Sequence, residues 1–292
     1  MSGGGRSSGA ILIAVLWAIA FLSGLAMAAA TTFRGFAGIV TVHRDKAQAD
    51  ALFTAGLEVA AGIVGRLGEA PLPEMQGELA LSGGRVRFRL SDEGGRIDAG
   101  KAPVELLASL FRSLGARDAD GIAQRIVAWR SPDAAGAPPP ETGQATPEAE
   151  WPFSDVRQLA RIPGVPPDLV AAAAPLLTVY GTATVNPLTA PPAVIAALPG
   201  IEGPRLRLFL DARQRLPTDA QRLQALLAPA QQHLGVSARK VASVRLAARL
   251  DDGFEAAAEA VVAVFPDDRE PYRILSWKPL GSEREDRPRT SK

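Results

Sequence analysis

Residues 8–27 read SGAILIAVLWAIAFLSGLAM, and no charged residue falls between Arg6 and Arg34. That is close to the roughly 20 consecutive apolar residues needed to cross a bilayer as a helix. A secretory signal peptide has a shorter apolar core followed by a small-residue cleavage site. Here the apolar run passes directly into residues 41–67, which are also compatible with helix. Ala49, Leu52, Phe53, Leu57, Val59, Ala60, Ile63, Val64 and Leu67 fall mostly at i, i+3, i+4 spacing, the signature of one buried helix face. Residues 10–67 therefore read as a single rod on the order of 85 Å long at 1.5 Å per residue. Gly35 and Gly38 mark its exit from the membrane. Gly56, Gly62 and Gly65 weaken it by roughly 1 kcal/mol each relative to Ala. Pro71 and Pro73 end it.

Composition narrows the chemistry. The chain has 292 residues, a formal net charge of +1 and no cysteine. It is long enough for a membrane helix and one or two domains with real cores. The near-neutral balance implies no strong electrostatic partner. Disulfides, thiolate zinc sites and a cysteine nucleophile are excluded. His43 sits among Arg44, Asp45 and Lys46 on an expected exposed helix face. His233 is expected as a cation near a helix C-terminus, before Gly235. There is no Gly-rich phosphate loop, nucleophile elbow or HExxH sequence, so an enzyme is not expected.

The hydrophobic period changes three times after the rod. Residues 79–81 and 85–90 flank Ser82-Gly83-Gly84 as a β-hairpin, with Val86, Phe88 and Leu90 alternating with arginines. Residues 91–95 read as a turn. Seven helices are expected at 104–114, 118–129, 155–161, 167–177, 191–198, 204–214 and 219–234, several opened by Pro or Asp. Residues 131–152 have no periodicity and read as a long surface loop. The period then returns to two at 241–250, 254–265 and 272–277. The turns between them contain Asp251-Asp252-Gly253 and Asp267-Asp268, acidic pairs that fit hairpin turns better than a cation site. Residues 281–292 are charged and poor in apolar residues.

Two near-copies of one pattern bracket the helical block. GRIDAGKAPVELL spans residues 95–107 and VNPLTAPPAVI spans residues 185–195. In each, Asp98 or Asn186 stands in a short strand or turn and an Ala-Pro opens a helix at Pro103 or Pro191. The side chain can hold the turn or satisfy free helix amides. RIPGV at 161–165 and ALPGI at 197–201 read as helix-hairpin-helix turns through Pro163-Gly164 and Pro199-Gly200.

These features carry a family resemblance. A short leader ending in Gly9 and followed at once by an apolar helix resembles the type IV pilin and pseudopilin class. Five further motifs follow in order: Gly95 to Pro103, Ala128-Trp129, Pro152 to Gly164, Leu177 to Gly181, and Val185 through Thr189 to Pro191. Together they resemble the minor pseudopilin K family of the type II secretion system, the general secretion pathway protein K family. The resemblance implies an α+β fold, with a pilin-like long N-terminal helix packed on an antiparallel sheet. A large all-α insertion of helix-hairpin-helix or SAM-like kind would interrupt it. The expected division is leader 1–9, long helix 10–70, first β part 71–95, inserted helical domain 96–238, second β part 239–280 and tail 281–292.

The resemblance also implies a mechanism. A prepilin peptidase would cut after Gly9, and methylation would fall on Ala10. Most pilin-like subunits carry a glutamate at mature position five, but the K family lacks it, and that position here is Ala14. A subunit with no neighbour ahead of it has no amine to neutralise, so the family places it at the pseudopilus tip. The implied partners are minor pseudopilins I and J, the pseudopilus and its inner-membrane platform. The implied location is the Gram-negative inner membrane, with the bulk of the chain in the periplasm. Gly100 and Leu188 depart from the family's pattern. Some members bind calcium in the insertion, but carboxylates usual near the Trp are missing around Trp129, so no cofactor is expected.

Two other readings have different consequences. Helix-hairpin-helix turns can present amides to phosphates, as in a membrane-anchored DNA-binding protein. Residues 96–239, however, hold 14 basic and 13 acidic residues, and Glu202 stands beside Pro199-Gly200, so no nucleic acid is expected. A minor pilin of a true type IV pilus is the other alternative.

Overall fold

The computed structural model describes residues 7–68, 70–130, 153–236, 240–265 and 268–280. The long loop expected at 131–152, the tail at 281–292 and Asp267 lie outside them. Helix α1 (Ser7–Arg66) runs 60 residues without interruption, about 90 Å at the standard rise. Its two halves meet different surroundings. Leu16, Trp17, Phe21, Leu22, Leu25 and Met27 are exposed, with Trp17 at 70% and Phe21 at 74%. In the other half Leu52, Phe53, Leu57, Ala60 and Val64 are buried. Among the described residues the segment Thr41–Arg66 is long and apolar enough to span a membrane, but 44% of its apolar window is buried. Its apolar face is covered by protein, whereas the apolar run Ala14–Leu25 is bare, which is compatible with a membrane anchor.

That face packs on a five-stranded antiparallel sheet of order β1-β2-β5-β6-β7. The strands are β1 (Met75–Leu81), β2 (Gly84–Asp92), β5 (Lys240–Leu250), β6 (Glu255–Val264) and β7 (Tyr272–Leu280). Val86, Phe88, Leu90, Val244, Leu246, Ala260 and Val262 point at α1, and the period-two pattern of the sequence is the reason. Gly56 gains a role the sequence did not show. A Cβ there would stand 2.8 Å from Leu246 Cδ2 and 3.3 Å from Val86 Cγ2, so the missing side chain lets helix and sheet approach.

Between β2 and β5 the chain builds a second core. It holds β3 (Ile97–Asp98), α2 (Val104–Ser113), α3 (Ala119–Trp129), α4 (Pro167–Ala173), β4 (Leu177–Thr178), α5 (Pro192–Ala196), α6 (Gly203–Arg215) and α7 (Ala220–Leu226). Leu106, Leu107, Leu110, Phe111, Ile126, Leu159, Ile195 and Phe209 fill it. The fold is thus mixed helix and antiparallel sheet, with helices concentrated between the second and third strands of the large sheet.

Several boundaries move. Residues 156–161 form 3-10 turns rather than α-helix. The helix expected at 167–177 stops at Ala173, and Leu177–Thr178 become β4, which pairs in parallel with β3. The helix expected at 219–234 splits into α7 and a 3-10 segment, Ala228–His233. Strand β1 begins four residues early at Met75, and β7 extends to Leu280. Pro103 and Pro191 occupy the N-cap rather than the first helical turn.

Candidate functional site at the junction of the two cores

Both motif copies converge where β2 leaves the large sheet. Asn186 N donates to Gly94 O at 2.8 Å, laying the second copy beside the start of the first. Gly95 is buried there, and a Cβ on it would meet Thr189 C and O at 2.9 Å. Only a glycine admits that approach of two backbones. Asp92, the last residue of β2, completes the contact. Its Oδ2 accepts from Asn186 Nδ2 at 3.0 Å and from Thr189 Oγ1 at 2.6 Å, while its Oδ1 accepts from Gly94 N at 2.9 Å. Asn186 Oδ1 in turn accepts from Leu188 N at 3.1 Å, holding its own turn.

Asp98 serves a neighbouring joint. Its carboxylate accepts from Gly100 N and Gly181 N, each at 2.7 Å, so it ties the first motif to Leu177–Gly181 rather than to a helix N-terminus. Burial pushes its pKa up, against the pull of these amides and Lys101. Glu93 is almost fully enclosed, at 2% exposure. Arg96 donates to it at 2.9 Å, and Thr178 Oγ1 donates to its other oxygen. Burial is the largest influence on Glu93 and raises its pKa, opposed by Arg96 and the Thr178 hydroxyl.

Two arginines hold the motif carbonyls from outside. Arg130 donates to Ala99 O at 3.3 Å and Ala102 O at 2.8 Å. Arg213 donates to Pro187 O at 3.1 Å and Ala190 O at 2.6 Å. On the far side Lys240 Nζ donates to Ala70 O at 2.7 Å, fastening the start of β5 to the chain just beyond α1. Sequence reasoning missed Asp92, Glu93, Arg96, Arg130, Thr178 and Arg213. The Asp and Glu beside Gly94-Gly95 read as turn residues, and Arg130 and Arg213 had no local signal because their partners lie more than 20 positions away.

The remaining sequence candidates stay within their own elements. Gly9 and Ala10 lie in the first turn of α1, and Ala14 is exposed on it. Trp129 ends α3, half-buried against the helical core. Gly164 and Gly200 take φ values of +81° and +73°, the left-handed turn that Pro163-Gly164 and Pro199-Gly200 require. Neither turn reaches the junction contacts described above. His43 is exposed, as expected. His233 corrects its expectation: it is 3% exposed, its Nδ1 has no hydrogen-bond partner, and burial lowers its pKa. It does close the 3-10 turn Ala228–His233, but as a buried ring whose burial disfavours the charged form.

Among the described residues no three His, Cys, Asp or Glu side chains gather as cation ligands. Asp118 and Asp155 are already engaged, by Arg125 at 2.9 Å and by Lys278 at 2.5 Å respectively. The geometry is that of a joint made of buried and part-buried hydrogen bonds between distant segments.

Residues 88–182 match the family model for type II secretion system protein K, first domain. They include Asp92, Glu93, Asp98, Thr178 and Gly181 of the junction, and end before Asn186 and Thr189. A chain of the crystal structure of the GspK-GspI-GspJ complex, from the enterotoxigenic Escherichia coli type 2 secretion system, shares the fold. Its TM-score is 0.60 at 14% sequence identity, covering 83% of this chain and 99% of that one. No curated protein matches. The family resemblance read from the motifs at 95–191 is borne out by the domain match and the shared fold.

Proposed function

We propose that this chain, a type II secretion minor pseudopilin of the protein K kind by the domain it carries and by its fold, works as the tip subunit of the pseudopilus. Its role is assembly rather than catalysis. The observation that carries the reading is α1: one unbroken helix, half of it the spine of an α+β domain and half of it bare apolar surface. Such a rod anchors the subunit in the inner membrane and aligns its domain in the periplasm. There it would initiate pseudopilus growth together with minor pseudopilins resembling GspI and GspJ, so that folded proteins are driven across the outer membrane.

Tip placement rests on two features. Ala14 supplies no carboxylate to a preceding subunit's amine, and an isolated carboxylate in a bilayer costs several kcal/mol. The helical block, held rigidly by the junction, makes a head too wide for a further subunit to stack on it. This role takes the division into leader, rod, sheet and inserted head as expected from the sequence, with the helix-hairpin-helix turns as packing turns of that head. A DNA-binding role is not favoured, nor is a type IV minor pilin.

Intact mass and N-terminal sequencing of the protein from its native membrane tests the reading. A chain beginning at methylated Ala10 supports it. A chain still beginning at Met1 overturns it.

A further inference from the structure

The chain has two histidines, and the fold treats them in opposite ways. His43 is exposed on α1, whereas His233 is 3% exposed and closes the 3-10 turn Ala228–His233. An imidazolium needs a hydrogen-bond acceptor at each ring nitrogen. Among the described residues Nδ1 of His233 has no partner, and Nε2 faces the amide nitrogen of Gln232, a donor, at 3.2 Å. The neutral ring keeps a lone pair that can take this donor. Turning the Gln232 amide would serve a charged ring at Nε2 and still leave a buried Nδ1–H without an acceptor, which costs the full desolvation of that group. Glu105 on α2 favours the charged ring, but burial outweighs it and lowers the pKa. Residues 182–186 alongside carry no charge. In α7, which packs on the same turn, the one charged residue is Arg222, and it is exposed.

The backbone of His233 leads straight to the junction. Val185 N donates to His233 O at 2.8 Å and Gly235 N donates to Val185 O at 3.0 Å, a parallel bridge between Val185 and Leu234. A Cβ on Gly235 would collide with Thr184 Oγ1, so the two segments lie in close contact. The next residue, Asn186, holds Gly94 O through its own N and Asp92 through Nδ2. Protonation of His233 favours any state in which the ring reaches water, and the bonds nearest to the ring that hold it in place are those to Val185.

We propose that His233 makes the joint between the helical head and the sheet sensitive to acid. When the ring takes a proton, the turn at 228–235 parts from Val185, and Asn186 loses the segment that backs its bonds to Asp92 and Gly94. Linkage gives the direction. The opened state binds a proton near the ordinary histidine value of 6.5, and the closed state binds it less readily. Opening is therefore unaffected well above pH 6.5 and gains as pH falls below it, by up to about tenfold per pH unit. Glu93 and Asp98 at the same joint have pKa values raised by burial, so acid favours their closed state. An opening of this joint on mild acidification thus has the sign of His233 and not of its carboxylates. The proposal does not depend on the tip assignment.

Hydrogen exchange of the full chain in detergent, corrected for the intrinsic effect of pH on exchange, tests this between about pH 7.5 and 5.5. Residues 183–190 and 228–236 should lose protection by up to about tenfold, while β5 and β6 keep theirs. His233→Gln, which cannot titrate, should abolish this pH dependence whatever its effect on basal stability. Selective isotope labelling of the two imidazoles needs no variant: by NMR, His233 should titrate at a lower pH than His43 in the same sample. Equal midpoints for the two rings overturn the proposal. So does unchanged protection at 183–190, a loss that persists in His233→Gln, or a loss spread evenly over both cores.

Discussion

Asn186 Nδ2 donates to Asp92 Oδ2 at 3.0 Å, a hydrogen bond between residues 94 positions apart. It joins the last residue of a sheet strand to the turn that opens α5, and so fixes how the head sits on the sheet. Replacing Asn186 with Leu removes this bond and leaves a partly buried carboxylate with one side-chain donor fewer. The expected loss is about 1–3 kcal/mol of stability. Chemical denaturation measures it, and hydrogen exchange should rise first at residues 177–190. A loss spread evenly over the chain, or none, counts against a joint at this point.

Gly95→Ala tests the close approach on its own. The added methyl meets the Thr189 backbone at 2.9 Å, and backbone cannot swing away as a side-chain tip can. Overpacking of this kind costs about 1–3 kcal/mol. A Tm lowered by several degrees is the expected outcome, whereas Gly94→Ala, three-tenths of an ångström less crowded and only against Asp92, should lower it less.

Glu93 and Arg96 form a nearly enclosed pair, so the two single changes should differ in size. Arg96→Met strands a buried carboxylate and should cost about 3–5 kcal/mol. Glu93→Gln keeps the Thr178 contact and removes the charge that burial disfavours. Because burial raises the pKa of Glu93, its ionised form is held less well in the folded chain than in the unfolded one. Its contribution therefore falls as pH rises past the usual carboxylate range, and Glu93→Gln should be near neutral or stabilising at pH 7. A double-mutant cycle in urea measures both, and the double variant should recover much of the loss of Arg96→Met.

Asp155 has the opposite sign. Its burial opposes ionisation, but Lys278 and Arg157 outweigh it and bring its pKa down to about 2. Its stabilisation is complete above the unfolded value of 3.8 and is lost as pH falls from there to about 2. Allowing for solvent screening, the pair contributes about 1 kcal/mol. Lys278→Met should remove most of that at pH 6 and flatten the pH dependence of stability between pH 4 and 2. Identical acid titrations of the two proteins would mean that the head does not lean on β7 through this pair.

In the proposed mature chain, cut after Gly9, Ala14→Glu places a carboxylate at position five. The tip assignment predicts that it disturbs the complex with GspI- and GspJ-like partners or the subunit's place in the filament. Co-purification of the minor pseudopilins and a secretion assay check this, and no change in either would remove the positional argument.

The long rod, the two β regions and the helical block were legible because each writes its period into neighbouring residues. Ala49 to Val64 repeat every three or four positions, and Val86, Phe88 and Leu90 every two. The two motif copies were visible as a repeat, but their meeting was not. Gly95 touching Thr189, and Asp98 reaching Gly181, depend on how distant segments return, and a local pattern carries no trace of that. His233 does end a short 3-10 turn before Gly235, as its place suggests, but tertiary packing buries it and lowers its pKa, which no local pattern shows.

By itself the sequence determined what each segment could become, since hydrophobic period, Pro and Gly act on their immediate neighbours. It also marked the apolar run at residues 8–27 as distinct from the rest of the chain. Only the tertiary structure decided which half of α1 is already covered and which carboxylates are enclosed. Those depend on distances across strands and between cores, set by packing over separations that no local pattern spans.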